Sequence, residues 1–152
     1  MNLPKITYSA RISSDTLSFK DTEEIYGGTY TKTNPISVDL RIWNNKYGLA
    51  DVKDLENFAL NFYFNDYEDS SLLKYLTVVY NNNEELNLEI KDRVASATFF
   101  NSVIIKGTAN NGNDSDTDNY IDLKIIFNTS LDNETTLKAS DIKSLFVEIV
   151  TI

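Results

Sequence analysis

Between residues 58 and 64 the chain reads Phe-Ala-Leu-Asn-Phe-Tyr-Phe, with a large apolar side chain at every second position. A strand sends successive side chains to opposite faces, so this spacing lays Phe58, Leu60, Phe62 and Phe64 on one face. A helix would scatter the same four residues round its circumference. The same period recurs at Ile36, Val38, Leu40 and Ile42, at Ile121, Leu123, Ile125 and Phe127, and at Leu145, Val147 and Ile149. Shorter versions stand at Ile6, Tyr8, Ala10 and Ile12, at Leu76, Val78 and Tyr80, at Leu86, Leu88 and Ile90, at Ala95, Ala97 and Phe99, and at Val103 and Ile105. No amphipathic run is long enough for a full helix. Single helical turns are expected near Asp51, after Ser70 or Ser71, and at Ser140-Asp141, where a side-chain oxygen can cap the first turn. The pattern predicts an all-β chain, with residues 1–152 forming a single antiparallel β-sandwich domain of about eight to ten strands joined by long polar loops. The connections are long and uneven, whereas up-and-down barrels favour short, regular hairpins.

Composition narrows the chemistry. The chain has no Cys and no His. Disulfides, thiolate nucleophiles and zinc–thiolate sites are therefore excluded, along with the commonest general base and the commonest transition-metal ligand. The net charge is −9, and the few Lys and Arg residues form no basic run. Nucleic acid and polybasic membrane contacts need clustered cations, so neither is expected. No apolar stretch approaches the length of a membrane span. The opening MNLPKITYSARISS has no signal-peptide core, so synthesis and release in a cytoplasm are expected.

The segments VDLRIW (Val38 to Trp43) and IDLKII (Ile121 to Ile126) resemble each other. Each predicts a half-buried strand whose outer face carries an Asp and a basic residue, able to pair across strands.

The stretch NNGNDSDTDN, Asn110 to Asn119, raises the question of a metal. Asp114, Asp116 and Asp118 stand at spacing two, and Asp122 follows four later. This resembles the calcium loops of dockerins and thrombospondin repeats, because hard cations gather several oxygen ligands. Asn119 stands where such loops carry Gly, and the EF-hand Glu position is Ile125. The simpler expectation is a mobile, solvent-exposed connection made of turn-forming residues, with no required cofactor and calcium as the one candidate ion.

Trp43, with Tyr47, could form a stacking platform for sugar, which would make the chain a carbohydrate-binding module. The simpler expectation is that Trp43 closes one end of the core, its indole N–H reaching a partner. Tyr63, Tyr75 and Tyr8 are candidates for exposed contact residues. Carboxylates abound at Glu23-Glu24, Asp66, Glu68-Asp69 and Glu84-Glu85, but nothing singles out a catalytic pair. No phosphate loop or hydrolase elbow is present, and no enzymatic activity is expected.

The ensemble, compact, all-β, Asn-rich and without Cys, His or signal peptide, is similar to the small β-sandwich structural proteins of tailed bacteriophage virions. The resemblance covers the whole chain and assigns no functional residue. It implies capsid decoration, a neck or tail ring, or a baseplate or fibre attachment. It also implies self-association or contact with other virion proteins, and assembly in the host cytoplasm.

Overall fold

The structure is a computed structural model that describes residues 2–13, 19–22, 24–25, 29–30, 36–65, 67–81, 83–99, 103–128, 140–141 and 145–152. Thirteen strand segments occur among them: β1 Ile6–Ile12, β2 Lys20–Asp21, β3 Glu24–Ile25, β4 Thr29–Tyr30, β5 Ile36–Asn44, β6 Phe58–Phe64, β7 Leu76–Tyr80, β8 Glu84–Glu85, β9 Glu89–Lys91, β10 Val94–Phe99, β11 Tyr120–Phe127, β12 Ser140–Asp141 and β13 Leu145–Thr151. A six-stranded sheet, β2-β1-β5-β11-β7-β8, packs against a five-stranded sheet, β3-β13-β6-β10-β9, and β4 pairs with β12 separately. Every strand pair is antiparallel. The predicted sandwich is thus the observed one.

The two inner faces follow the period-two residues. Phe58, Leu60, Phe62 and Phe64 of β6 meet Val38, Leu40 and Ile42 of β5 and Ile121, Leu123, Ile125 and Phe127 of β11 in one buried cluster. Fully burying a large side chain of this kind contributes about 1.5–3 kcal/mol, so β6 and β11 dominate the core. Tyr8 of β1 reaches across the sandwich, its hydroxyl accepting a hydrogen bond from the Ile149 N–H of β13 at 3.1 Å.

Several local expectations are corrected. Asp51 starts no helical turn. Residues 51–56 are extended, with Val52 bridging Asn2 and Leu55 bridging Ile105. Val103 and Ile105 make only that isolated bridge, not a strand. Ser140-Asp141 forms β12. The turn after Asp66 is a 3-10 helix, Tyr67–Tyr75, with Ser70 and Ser71 inside it. Tyr75 is buried and Tyr8 half-buried, while Tyr63 stands half-buried on an outer face, stacked on Phe146 at 5.7 Å. Leu17 and Gly27-Gly28 lie outside the described residues, as do Glu23, Asp66 and the segment SLDNETT, Ser130 to Thr136.

Candidate functional site

The likeness of VDLRIW to IDLKII has a geometric meaning. The two segments are β5 and β11, adjacent and antiparallel, with Asp39 opposite Lys124, Arg41 opposite Asp122 and Trp43 opposite Tyr120. An Asp followed two residues later by a base is self-complementary when two such strands run in opposite directions. Because Leu40 and Ile42 face the core, Arg41 and Trp43 face outward. There they anchor a polar–aromatic layer over the sheet.

Arg41 is the centre of that layer. Its Nε and Nη2 donate to the two carboxylate oxygens of Asp122 at 2.8 and 3.1 Å, and its Nη1 donates to Asp114 at 3.3 Å. The guanidinium lies 4.3 Å from the Phe19 ring centroid and 4.0 Å from that of Tyr120. Such forked, charge-assisted bonds are strong, and aromatic faces add cation–π attraction. Burial opposes the Arg41 charge, but Asp122 outweighs it and holds the pKa above its ordinary value. Burial also pushes the Tyr120 phenol up, although Arg41 works the other way.

A second ion pair joins the buried Lys46 to the more exposed Asp21. Lys46 Nζ donates to Asp21 at 2.9 Å and to the Ser9 hydroxyl at 3.4 Å, and Ser9 in turn donates to Asp21 at 2.6 Å. Burial disfavours both charges, yet the mutual hydrogen bonds prevail. The Asp21 carboxyl is held below its ordinary value by Ser9 and Lys46, and the Lys46 ammonium above its own by Asp21 and Tyr47. Lys46 therefore stays protonated and cannot serve as a base toward Ser9, which is itself completely buried.

Asparagine amides tie the end of the sandwich together. Asn119, completely buried, donates from Nδ2 to the carbonyls of Thr108 at 2.6 Å, Lys106 at 3.1 Å and Asn44 at 3.3 Å. Asn44 Nδ2 donates to the Lys53 and Ile105 carbonyls, and its oxygen accepts from the Lys5 N–H. Asn45, at φ 58°, donates to the Ala50 and Gly107 carbonyls. Segments 45–55 and 105–119 lack continuous ladders, so these amides satisfy carbonyls that would otherwise be buried without a partner.

The sequence-predicted residues divide. Trp43 is 0% exposed and tilted against Tyr120 at 4.6 Å, with the Lys46 ammonium 5.0 Å from its ring. It cannot stack on a sugar. It closes the outer layer rather than an end of the core, and its Nε1 has no hydrogen-bond partner, contrary to expectation. Tyr47 is exposed, so the structure does not join the two as a platform.

The aspartates divide too. Asp114 and Asp122 are turned onto Arg41, whose guanidinium takes the place a cation would fill. Asp116 precedes the short 3-10 helix Thr117–Asn119, and Asp118 is exposed. Among the described residues no three acidic side chains are grouped to hold a metal ion. Most of the loop is exposed, as expected, but its two ends are pinned. Asn110 and Asn119 are buried, Asn110 Oδ1 accepts from the Asn113 N–H at 2.6 Å, and Tyr120 donates to the Asp114 carbonyl at 2.9 Å.

A surface hollow of about 360 Å³ lies beside β11 between Tyr80, Asn81, Ile104 and Asp118. Sequence reasoning missed Asn44, Asn45 and Asn119, whose only signal was their polarity, which reads as solvent exposure. It also missed Lys46, which looks like any surface lysine. Set against known protein families, curated proteins and solved structures, the chain matches none. No helix among the described residues is long and apolar enough to cross a membrane.

Proposed function

We propose that the chain is a non-enzymatic structural protein that works through contacts with other proteins, most fittingly as a component of a tailed bacteriophage virion. The observation that carries this reading is how the chain spends its charges and where it leaves its apolar groups. Two well-covered charged side chains, Arg41 and Lys46, are engaged in holding loops to the six-stranded sheet. Meanwhile Leu3, Tyr47 and Leu49 stand in solvent, at 76, 61 and 96% exposure. Large exposed apolar side chains on neighbouring segments favour protein contact. The carbohydrate-binding alternative loses its tryptophan, because Trp43 is covered.

The test is the mass of the particle in solution, alone and mixed with candidate neighbour proteins. Assembly in either arm supports the reading. A strict monomer that binds a defined oligosaccharide at micromolar affinity would overturn it, as would a turnover abolished by replacing one carboxylate.

A further inference from the structure

Asn111-Gly112 is the only Asn-Gly pair in the chain. Such a pair is unusually open to self-modification, because glycine has no Cβ to keep its own nitrogen away from the preceding side chain. The Gly112 nitrogen attacks Cγ of Asn111. A bond forms between them, the Cγ–Nδ2 bond breaks, and the amide leaves as ammonia with the proton that the Gly112 nitrogen gives up. Water then opens the cyclic imide. Opening at Cγ leaves an ordinary aspartate. Opening at the backbone carbonyl leaves an iso-aspartate, with an extra carbon in the main chain.

The fold exposes the amide and withholds the nucleophile. Asn111 stands in solvent. The Gly112 N–H donates to the Lys46 carbonyl at 2.8 Å, and its backbone is held at φ 76°. A Cβ on Gly112 would stand 2.8 Å from the Tyr47 ring, so that ring lies against the glycine. The flanks are pinned as well. Asn110 is buried, its Oδ1 accepts from the Asn113 N–H at 2.6 Å, and its Nδ2 donates to Asn119 Oδ1 at 3.4 Å. Bringing the Gly112 nitrogen onto Asn111 Cγ requires the peptide plane between them to rotate, and that breaks the bond to Lys46. An N–H held in this way gives up its proton to solvent base only when the loop opens.

We infer that Asn111 is a spontaneous deamidation site gated by the Gly112–Lys46 hydrogen bond: the folded chain holds the reaction back, and each opening of the loop 110–113 admits it. The inference goes beyond the proposed assembly role and does not depend on it. The iso-aspartate product has a structural consequence. It lengthens the main chain between two pinned residues, so Gly112 cannot keep its bond to Lys46, and the seat of the Tyr47 ring is released. The aspartate product keeps the main chain and adds a negative charge to a chain already at −9.

The test is incubation of the full chain in mildly alkaline buffer, native and in urea. Conversion is followed by mass spectrometry of the peptide that contains Asn111, and iso-aspartate by enzymatic methylation. In urea Asn111 should convert faster than any other asparagine. In the native chain it should convert at least about tenfold more slowly than in urea, the factor that an opening free energy of about 1.4 kcal/mol produces. Tyr47→Ala and Asn110→Ala, each checked for a native circular dichroism spectrum, should raise the native rate toward the urea rate. Gly112→Ala should suppress the reaction in urea, where the fold plays no part, because its methyl group crowds the attacking nitrogen.

Equal rates in the native chain and in urea would overturn the inference, since no gate would then exist. So would an Asn111 that converts in urea no faster than other asparagines, or as fast with Gly112→Ala. Folded variants that convert no faster than the wild type would show that this hydrogen bond is not the gate. If Asn110→Ala unfolds the chain, Tyr47→Ala decides alone, since the Tyr47 ring is 61% exposed and its loss empties no core.

Discussion

Replacing Asn119 tests the buried amide network directly. The side chain is completely buried, and its Nδ2 serves three carbonyls, with Thr108 at 2.6 Å and Lys106 at 3.1 Å the better bonds. Asn119→Ala leaves those two acceptors without a donor. An unsatisfied buried acceptor costs about 1–3 kcal/mol. Some water will enter the vacated space, so the expected loss is about 2–4 kcal/mol in urea unfolding. For a chain of this size that lowers the melting midpoint by about 4–16 °C. Amide exchange should quicken at Lys106, whose N–H donates to the Asp118 carbonyl.

Asn119→Asp discriminates further. It keeps the volume but turns the donor into a charge aimed at three carbonyl oxygens, so its folded pKa must rise above the unfolded value of about 3.9. An acid with a raised folded pKa takes up its proton more readily when folded. The variant is therefore least stable above that pKa and recovers as pH falls through it. Asn119→Ala within about 0.5 kcal/mol of wild type, together with a pH-independent Asn119→Asp, would refute the claim that this amide holds the loops.

Other predictions bear on the core, the ion pair and the metal question. Phe62→Ala should cost about 3–5 kcal/mol in denaturant unfolding, because Phe62 is wholly buried between the sheets. A loss below about 1 kcal/mol would show that this face is not core. Asp21 is held below its ordinary value and Lys46 above its own, so their contribution is present at neutral pH. It is lost as pH falls through the folded Asp21 pKa, below about 3.9, and as pH rises through the folded Lys46 pKa, above about 10.4. The stability gap between wild type and Asp21→Asn should therefore narrow at both extremes, and a gap constant with pH would contradict the pairing. Millimolar calcium should leave the melting midpoint where chelator leaves it, since Asp114 and Asp122 are turned onto Arg41. A rise of several degrees that Asp116→Ala abolishes would establish a metal site.

Much of the fold can be read from spacing alone. The alternations at β5, β6, β11 and β13 name the strands and their inner faces, and with them the sandwich. Even the charged outer faces of VDLRIW and IDLKII are legible, since alternation places Asp39, Arg41, Asp122 and Lys124 opposite the apolar residues. This information is local: which way a side chain points depends on the backbone of its own strand.

What covers an outward side chain is not local. Trp43 points away from the core by the same alternation and is buried all the same, under Tyr120 and Lys46. Arg41 becomes the clasp of the aspartate loop only because register places it against Asp122, 81 residues away. Asn44 and Asn119 read as surface residues, yet they are buried where two extended segments without ladders need amide donors for their carbonyls. Alternation is set by a few consecutive residues, so the amino-acid sequence alone determines it. Pairing, covering and the satisfaction of buried carbonyls arise only when distant segments meet, and the tertiary structure decides them.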